Sequence, residues 1–174
     1  MFEERIREAV VDTSPLFSVL VLNYVDSAGL LERWRSKLIG DALKPYLLSA
    51  PNKLESFMQL IRGMRLLMTT SHVVGELPGL VRRRLGLYGQ SLADFWLSSM
   101  RFLSDRGLQE ELLTLLAMYR RQDLREAVSL FGVTDVGVVE LARRKGVVLL
   151  TDDLRLASHA WAAGVDCRLT EHLV

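Results

Sequence analysis

Acidic side chains stand beside turns in four segments of this chain: Asp12 after the apolar AVV, Glu76 within TTSHVVGEL, Asp135 opening DVGVVELARR, and Asp152 with Asp153 after VVLLT. Three of these segments read as a buried strand ending in, or a helix starting from, a short polar turn, which is where open α/β sheets place their chemistry. The acids are therefore expected to converge. Four ionised carboxylates about 5 Å apart repel by roughly 3 kcal/mol per pair at an effective dielectric near 20, so such a group needs cations to be stable. Oxygen-only ligands select Mg²⁺ or Mn²⁺. The chemistry implied is metal-assisted phosphodiester hydrolysis, in which the cation activates water and offsets charge on phosphoryl oxygens.

Each acid also has a plainer reading. Asp12-Thr13-Ser14 can cap the following helix, Asp135 can complement a helix dipole, and Asp152-Asp153 can form a turn. Glu76 is harder to dismiss, because Val73, Val74 and Leu77 surround it with apolar positions where an unpaired carboxylate is costly. His72 lies one helical turn before Glu76, the spacing of some metal motifs; a structural or partner-facing role suits it better. His159 and His172 are isolated. Trp34, Trp96 and Trp161 sit in helical apolar runs and read as core or interface residues.

The elements that position the acids follow from periodicity. Ala9-Val10-Val11 is predicted as a buried strand, and Pro15 opens a mostly buried helix over Leu16–Val25, its place behind Thr13-Ser14 matching a first-turn proline. Leu30, Leu31, Trp34, Leu38 and Leu43 recur at helical spacing between Ser27 and Tyr46. A second helix over Lys53–Met64 completes a helical insertion spanning 26–64. Arg65–Thr70 is predicted as a strand, with Ser71 capping the Glu76 helix and Pro78 bending or shortening it. Leu92–Leu103 is an amphipathic helix, and Leu112–Ala117 is too short an apolar run to show its period. Leu124–Phe131 is a helix that Gly132 ends. Thr134 then caps a helix over Asp135–Lys145, with basic residues in its last turn and Gly146 as its stop. Gly146–Leu150 is the clearest strand, its continuous apolar run fitting a parallel strand covered on both faces. A helix over Arg155–Ala163 and a short strand over Val165–Leu169 close the series. This alternation predicts an α/β fold, a three-layer α/β/α sandwich around a mostly parallel sheet.

With 174 residues, 49% of them hydrophobic, and no linker-like stretch, the chain reads as one domain over 1–174. A formal charge of +1 gives no bulk attraction to a polyanion, so nucleic-acid binding has to come from local patches. Three basic clusters qualify: Arg82-Arg83-Arg84, Arg120-Arg121 with Arg125, and Arg143-Arg144-Lys145. Arginine makes up 18 of the 22 basic residues; it suits bidentate phosphate contacts, although genomic base composition gives the same bias. Cys167 is the single cysteine, which excludes an internal disulfide and a cysteine-cluster zinc site. A cytoplasmic location is expected, since the opening MFEERIREAV does not read as a secretion signal and no apolar stretch is long enough to span a bilayer.

VVDTSPLF, TTSHVVGEL and GVTDVGVVELARRKGVVLLTDDLRLASHAWAAGVD resemble, in this order, the motifs of PIN domains, which are Mg²⁺- or Mn²⁺-dependent nucleases acting mainly on RNA. The resemblance covers residues 8–90 and 124–170, and the 26–64 insertion is longer than the usual connection. It implies that Asp12, Glu76, Asp135 and Asp153 are the catalytic, metal-holding acids. Asp153 is preferred because the family's acid stands two positions after the threonine, here Thr151; Asp152 would hold a metal-associated water. It further implies that Thr13, Ser14 and Thr151 orient carboxylates or the scissile phosphate, and that products carry 5′-phosphate and 3′-hydroxyl ends. Many small members in bacteria and archaea are toxins held inactive by an antitoxin protein, and homodimers are common. Two other readings compete. One is a catalytically weak RNA-binding or protein-binding module on the same fold. The other is a haloacid dehalogenase type phosphatase, disfavoured because its second aspartate would stand where Ser14 is.

Overall fold

The computed structural model describes residues 6–27 and 51–173. The helical reading of Ser27–Tyr46 falls almost wholly on 28–50, outside the described residues. The described elements run β1 (Glu8–Val11), α1 (Thr13–Ser27), α2 (Pro51–Gly63), β2 (Leu66–Thr70), α3 (Ser71–Leu80), a π-helical turn (Val81–Leu85) and α4 (Gly89–Asp105). They continue with β3 (Gln109–Glu111), α5 (Leu115–Tyr119), α6 (Gln122–Phe131), α7 (Val133–Lys145), β4 (Val148–Thr151), α8 (Leu154–Ala162), β5 (Cys167–Leu169) and a 3₁₀ turn (Thr170–His172).

The five strands form one sheet in the order β3-β2-β1-β4-β5, and every pairing is parallel. Parallel neighbours need crossovers, and crossovers are right-handed. The chain steps from β1 outward to β2 and β3, then returns past β1 to β4 and β5, so the helices of the two halves fall on opposite faces. The result is an α/β sheet flanked by helices, in keeping with a three-layer sandwich. The direction of winding reverses between β1 and β4, and the crevice beyond the carboxyl ends of these strands is the usual ligand site of such sheets.

Burial follows the residue pattern. Val148, Leu149, Leu150 and Thr151 are all buried, as are Ala9, Val10 and Val11. Helix α1 is buried on nearly every side, from Thr13 through Leu22 to Val25, because it lies against the sheet with α3 and α4 over it. Its polar residues are satisfied locally: Ser18 Oγ donates to the Ser14 carbonyl at 3.0 Å and Asn23 Nδ2 donates to Ser98 Oγ at 3.1 Å. Gly146 stops α7 in the left-handed region at φ 65°, with its N–H donating to the Ala142 carbonyl, a position that favours glycine.

Some boundaries differ from expectation. Thr70, not Ser71, caps α3, its hydroxyl accepting from the Val73 amide at 3.4 Å. Pro78 stays inside α3, and the regular helix gives way to the π-helical turn at Val81. The ambiguous Leu112–Ala117 run divides between a loop and the start of α5, while the strand β3 lies just before it in the polar Gln109–Glu111. Thr134 does not cap α7: the cap position is Gly132, and no side-chain bond is made there.

Two of the three basic clusters are drawn into ion pairs. Glu140, only 2% exposed, accepts from Arg121 at 3.0 Å, Arg143 at 2.9 Å and Arg144 at 2.8 Å, and Lys145 pairs with Glu111 at 2.5 Å. Burial pushes the Glu140 carboxyl up, but the hydrogen bonds from Arg143 and Arg144 and the charges of Arg143 and Arg121 outweigh it and hold the group below its ordinary range. The arginines are roughly half exposed, which lowers the value of each pair. Glu140→Ala is expected to destabilise the protein by about 1 to 2 kcal/mol in urea unfolding. The loss should shrink when wild type and variant are compared at acid pH, where Glu140 is protonated; an equal loss at every pH would assign the effect to packing alone.

Candidate active site

The acids collect at the carboxyl end of the sheet because the sheet brings their segments there. Val11 pairs with Leu150, so the next residues in register, Asp12 and Thr151, stand side by side across the β1–β4 switch point. The Asp12 amide still bonds the Leu150 carbonyl at 3.0 Å, which fixes the backbone from which the carboxylate projects. Asp153 follows β4 by two residues, Glu76 lies in the second turn of α3 after β2, and Asp135 lies in the first turn of α7.

Threonines hold two of these carboxylates in place. Thr151 Oγ1 donates to Asp12 Oδ2 at 2.7 Å, and the Thr13 amide donates to Asp12 Oδ1 at 2.6 Å. Glu76 receives a hydroxyl on each oxygen, from Thr134 at 2.6 Å and from Thr13 at 3.0 Å. Glu76 is exposed, so the apolar burial expected for it does not occur; its side chain instead reaches out of α3 to two threonines of α1 and α7. Asp153 caps α8, its Oδ1 accepting from the Arg155 and Leu156 amides at 2.7 and 3.2 Å. Asp152 turns to the other side and accepts a hydrogen bond from Thr170. Ser14 is exposed beside Asp12, whereas Thr13 and Thr151 are buried. The two buried threonines donate to carboxylates, Thr151 to Asp12 and Thr13 to Glu76.

Asp135 differs from the others. Among the described residues no side-chain hydrogen bond to it is formed, and its carboxyl is pushed up from 3.8 to about 6, first by burial and then by the charges of Asp12, Asp153 and Glu76; Arg155 opposes them. Asp12 is also raised, chiefly by burial, against the bonds from Thr151 and Thr13, with Glu76 and Asp153 adding to the rise. Asp12, Glu76, Asp135 and Asp153 thus form one electrostatic group. Among the described residues, however, no three His, Cys, Asp or Glu side chains form a ready-made metal-binding group. Asp12, Glu76 and Asp153 each turn oxygens toward protein donors.

No family model matches the chain, and no curated protein matches it. The likeness to PIN domains therefore rests on the residues themselves.

The donor set suits a hard divalent cation all the same. Every candidate is a carboxylate, each oxygen has a second lone pair, and a cation would offset the burial and the like charges that raise Asp12 and Asp135. Three residues of consequence escaped the reading of the sequence. Thr134 was legible as a cap and serves Glu76; Glu140 was not singled out; and Arg155 carried no signal beyond its place in TDDLR. Of the histidines, His72 bonds the Leu113 carbonyl at 3.0 Å and His159 stacks on Phe131. Trp96 packs edge-on against Phe95, and Trp161 Nε1 donates to the Cys167 carbonyl at 2.8 Å.

Proposed function

We propose that the chain is a metal-dependent endoribonuclease of PIN type, with Asp12, Glu76, Asp135 and Asp153 holding Mg²⁺ or Mn²⁺. The observation that supports this reading is the gathering of the four carboxylates at the switch point of a parallel sheet, where burial first and their like charges second raise Asp135 and Asp12. A bound cation supplies water activation and neutralises phosphoryl oxygens. The protein's own residues have separable parts. Asp135 offers a carboxylate with no competing donor among the described residues. Thr151 and the Thr13 amide aim Asp12, and Thr13 with Thr134 aim Glu76. Ser14, exposed next to them, is placed to meet the substrate. The strand order and the sequence of motifs support the family reading, and through it a toxin role with an antitoxin partner and a cytoplasmic site of action. No described helix is long and apolar enough to cross a membrane. A homodimer is part of the same proposal; Leu97 and Met100, about half exposed on α4, supply apolar surface for it.

The test is incubation of wild type and an Asp12→Asn, Asp135→Asn double variant with structured and unstructured RNA in Mn²⁺. Cleavage by the wild type alone is the expected outcome; equal cutting by both preparations removes the assignment. A second reading, a catalytically weak module that binds RNA or protein, draws on the lack of a ready-made ligand group among the described residues. Calorimetric titration with Mn²⁺ separates the two, since the module takes up no cation even with a model RNA present.

A further inference from the structure

Helices α6, α7 and α8 surround a hollow of about 320 Å³ that none of the four acids lines. Helix α7 packs on α6 and on β1, β2 and β4, whereas α8 packs on β4 and β5, so α8 faces the α6–α7 pair across a gap. Two ties bridge that gap. The Phe131 and His159 rings stack at 4.4 Å, and Arg155, its guanidinium carbon 5.0 Å from the centre of the Phe131 ring, donates from Nη2 to the Leu130 carbonyl at 2.8 Å. One helical turn from Phe131 stands Ala127, and one turn from His159 stand Ala162 and Ala163. These three line the hollow and put only methyl groups where longer side chains would close it. Leu124, Val136 and Val139, all buried, form its floor.

The polar groups of the hollow come from the Glu140 cluster and from His159. Arg121 is fully engaged, its Nε and Nη2 on Asp123 and its Nη1 on Glu140. Arg143 gives Nε and Nη2 to Glu140 at 2.9 and 3.1 Å, which leaves its Nη1 with no partner among the described residues. The ring nitrogens of His159 make no hydrogen bond among the described residues, and burial pushes the imidazole down, toward the neutral form with one donor and one acceptor. With Arg144 also on Glu140, three guanidinium groups meet two carboxylates, Glu140 and Asp123. One positive charge is left over.

We infer that this hollow binds a small organic acid with a compact apolar body, the body against Leu124, Val136 and Val139 and the carboxylate on Arg143 Nη1. Apolar walls with a few polar groups converging on them are the usual form of a small-molecule site. The surplus of one positive charge matches a monoanion. A phosphate dianion would bring excess negative charge beside Glu140 and Asp123, and a neutral molecule would leave the surplus unanswered. The guanidinium is already held by Glu140, so it loses little freedom on binding. The inference does not rest on the ribonuclease reading, since it uses none of the four acids.

The test titrates the isotope-labelled protein with benzoate at constant pH and follows amide chemical shifts. Benzoate is expected to move the Ala127, Val139 and Ala162 amides saturably, with a dissociation constant on the order of 1 mM. Benzamide, its neutral isostere, should bind about 10-fold more weakly. Arg143→Gln should weaken benzoate by about 10-fold and leave benzamide unchanged, with Glu140 keeping Arg121 and Arg144 as partners. Ala162→Leu fills the hollow from the exposed side of α8 and should abolish binding of both compounds; Ala163→Leu repeats the test if Ala162→Leu lowers the melting temperature. Shifts that do not saturate, or that persist in both leucine variants, overturn the site. Equal affinity for benzoate and benzamide, or undiminished benzoate binding in Arg143→Gln, overturns the organic acid as its ligand.

Discussion

Asp135→Asn is expected to abolish metal-dependent RNA cleavage and, in the same protein, to raise the melting temperature at neutral pH. The two effects share a cause. Asp135 is partly buried among like charges that Arg155 opposes, and burial first and those charges second push its carboxyl from 3.8 up to about 6. Because the folded value lies above the unfolded one, the native state is favoured by Asp135 at acid pH and loses that advantage as pH rises through about 6. The full shift corresponds to about 3 kcal/mol, but Asp135 is only partly buried, and solvent screening reduces the expected effect to about 1 kcal/mol. Asparagine carries no charge to repel, so the metal-free variant should melt about 2 to 4 °C above wild type at pH 7.5 and level with it near pH 4. Mn²⁺ should raise the wild-type melting temperature and leave the variant unmoved. Partners that merely orient a metal ligand are worth about 10- to 100-fold in activity, so loss of the ligand itself should exceed about 100-fold. A variant that loses activity and stability together would point to a structural Asp135.

Thr151→Val is the second substitution with a large expected effect. Thr151 is fully buried, donates to Asp12 Oδ2 at 2.7 Å and accepts from the Asp153 amide at 3.1 Å. Valine keeps the shape and removes both bonds, leaving an acceptor in Asp12 and a donor at Asp153 unmet. The cost should be about 1 to 3 kcal/mol, a fall of several degrees in thermal melting. Asp12 is already raised by burial, with the Thr151 bond the largest influence pulling it back. Its loss moves the carboxyl further up, so the acid limb of the pH–activity profile should shift to higher pH, with activity at neutral pH down about 10- to 100-fold. Thr151→Ser retains the hydroxyl and should restore the profile. An unaltered acid limb in Thr151→Val would separate Asp12 from the activity.

The sheet was readable in the chain because its central strands carry unmixed signals. Ala9–Val11 and Val147–Leu150 are continuous apolar runs, the first followed directly by Asp12 and the second by Thr151 and then Asp152-Asp153, so the strands and the acids beyond them were legible together. β3 was not, because Gln109–Glu111 has the composition of a loop; it becomes a strand only by pairing with Met68, Thr69 and Thr70 of β2. The site was legible as a list of acids and illegible as a network. Thr134 has the credentials of an N-cap, and only the packing of α3 beside α7 turns its hydroxyl to Glu76. The basic clusters misled for the same reason: Arg121 stands just before α6 and Arg143 lies in α7, and nothing local reveals that Glu140 gathers both. Arg155 gains its fixed position from Phe131, on a helix that precedes it by a whole strand and helix.

The bond between Thr151 and Asp12 joins residues 139 positions apart. β1 is the middle strand of the sheet, yet it cannot acquire β4 until most of the chain exists, and contacts so distant in sequence form late and slowly. During synthesis, which proceeds at about 5 to 20 residues per second, an emerging chain has Asp12 and Glu76 for several seconds before Asp135 and Asp153 are made. A protein that hydrolyses RNA while still attached to its own message would endanger its template. On the proposed reading the acidic group is complete only once Asp135 and Asp153 have been made, so activity has to wait for them.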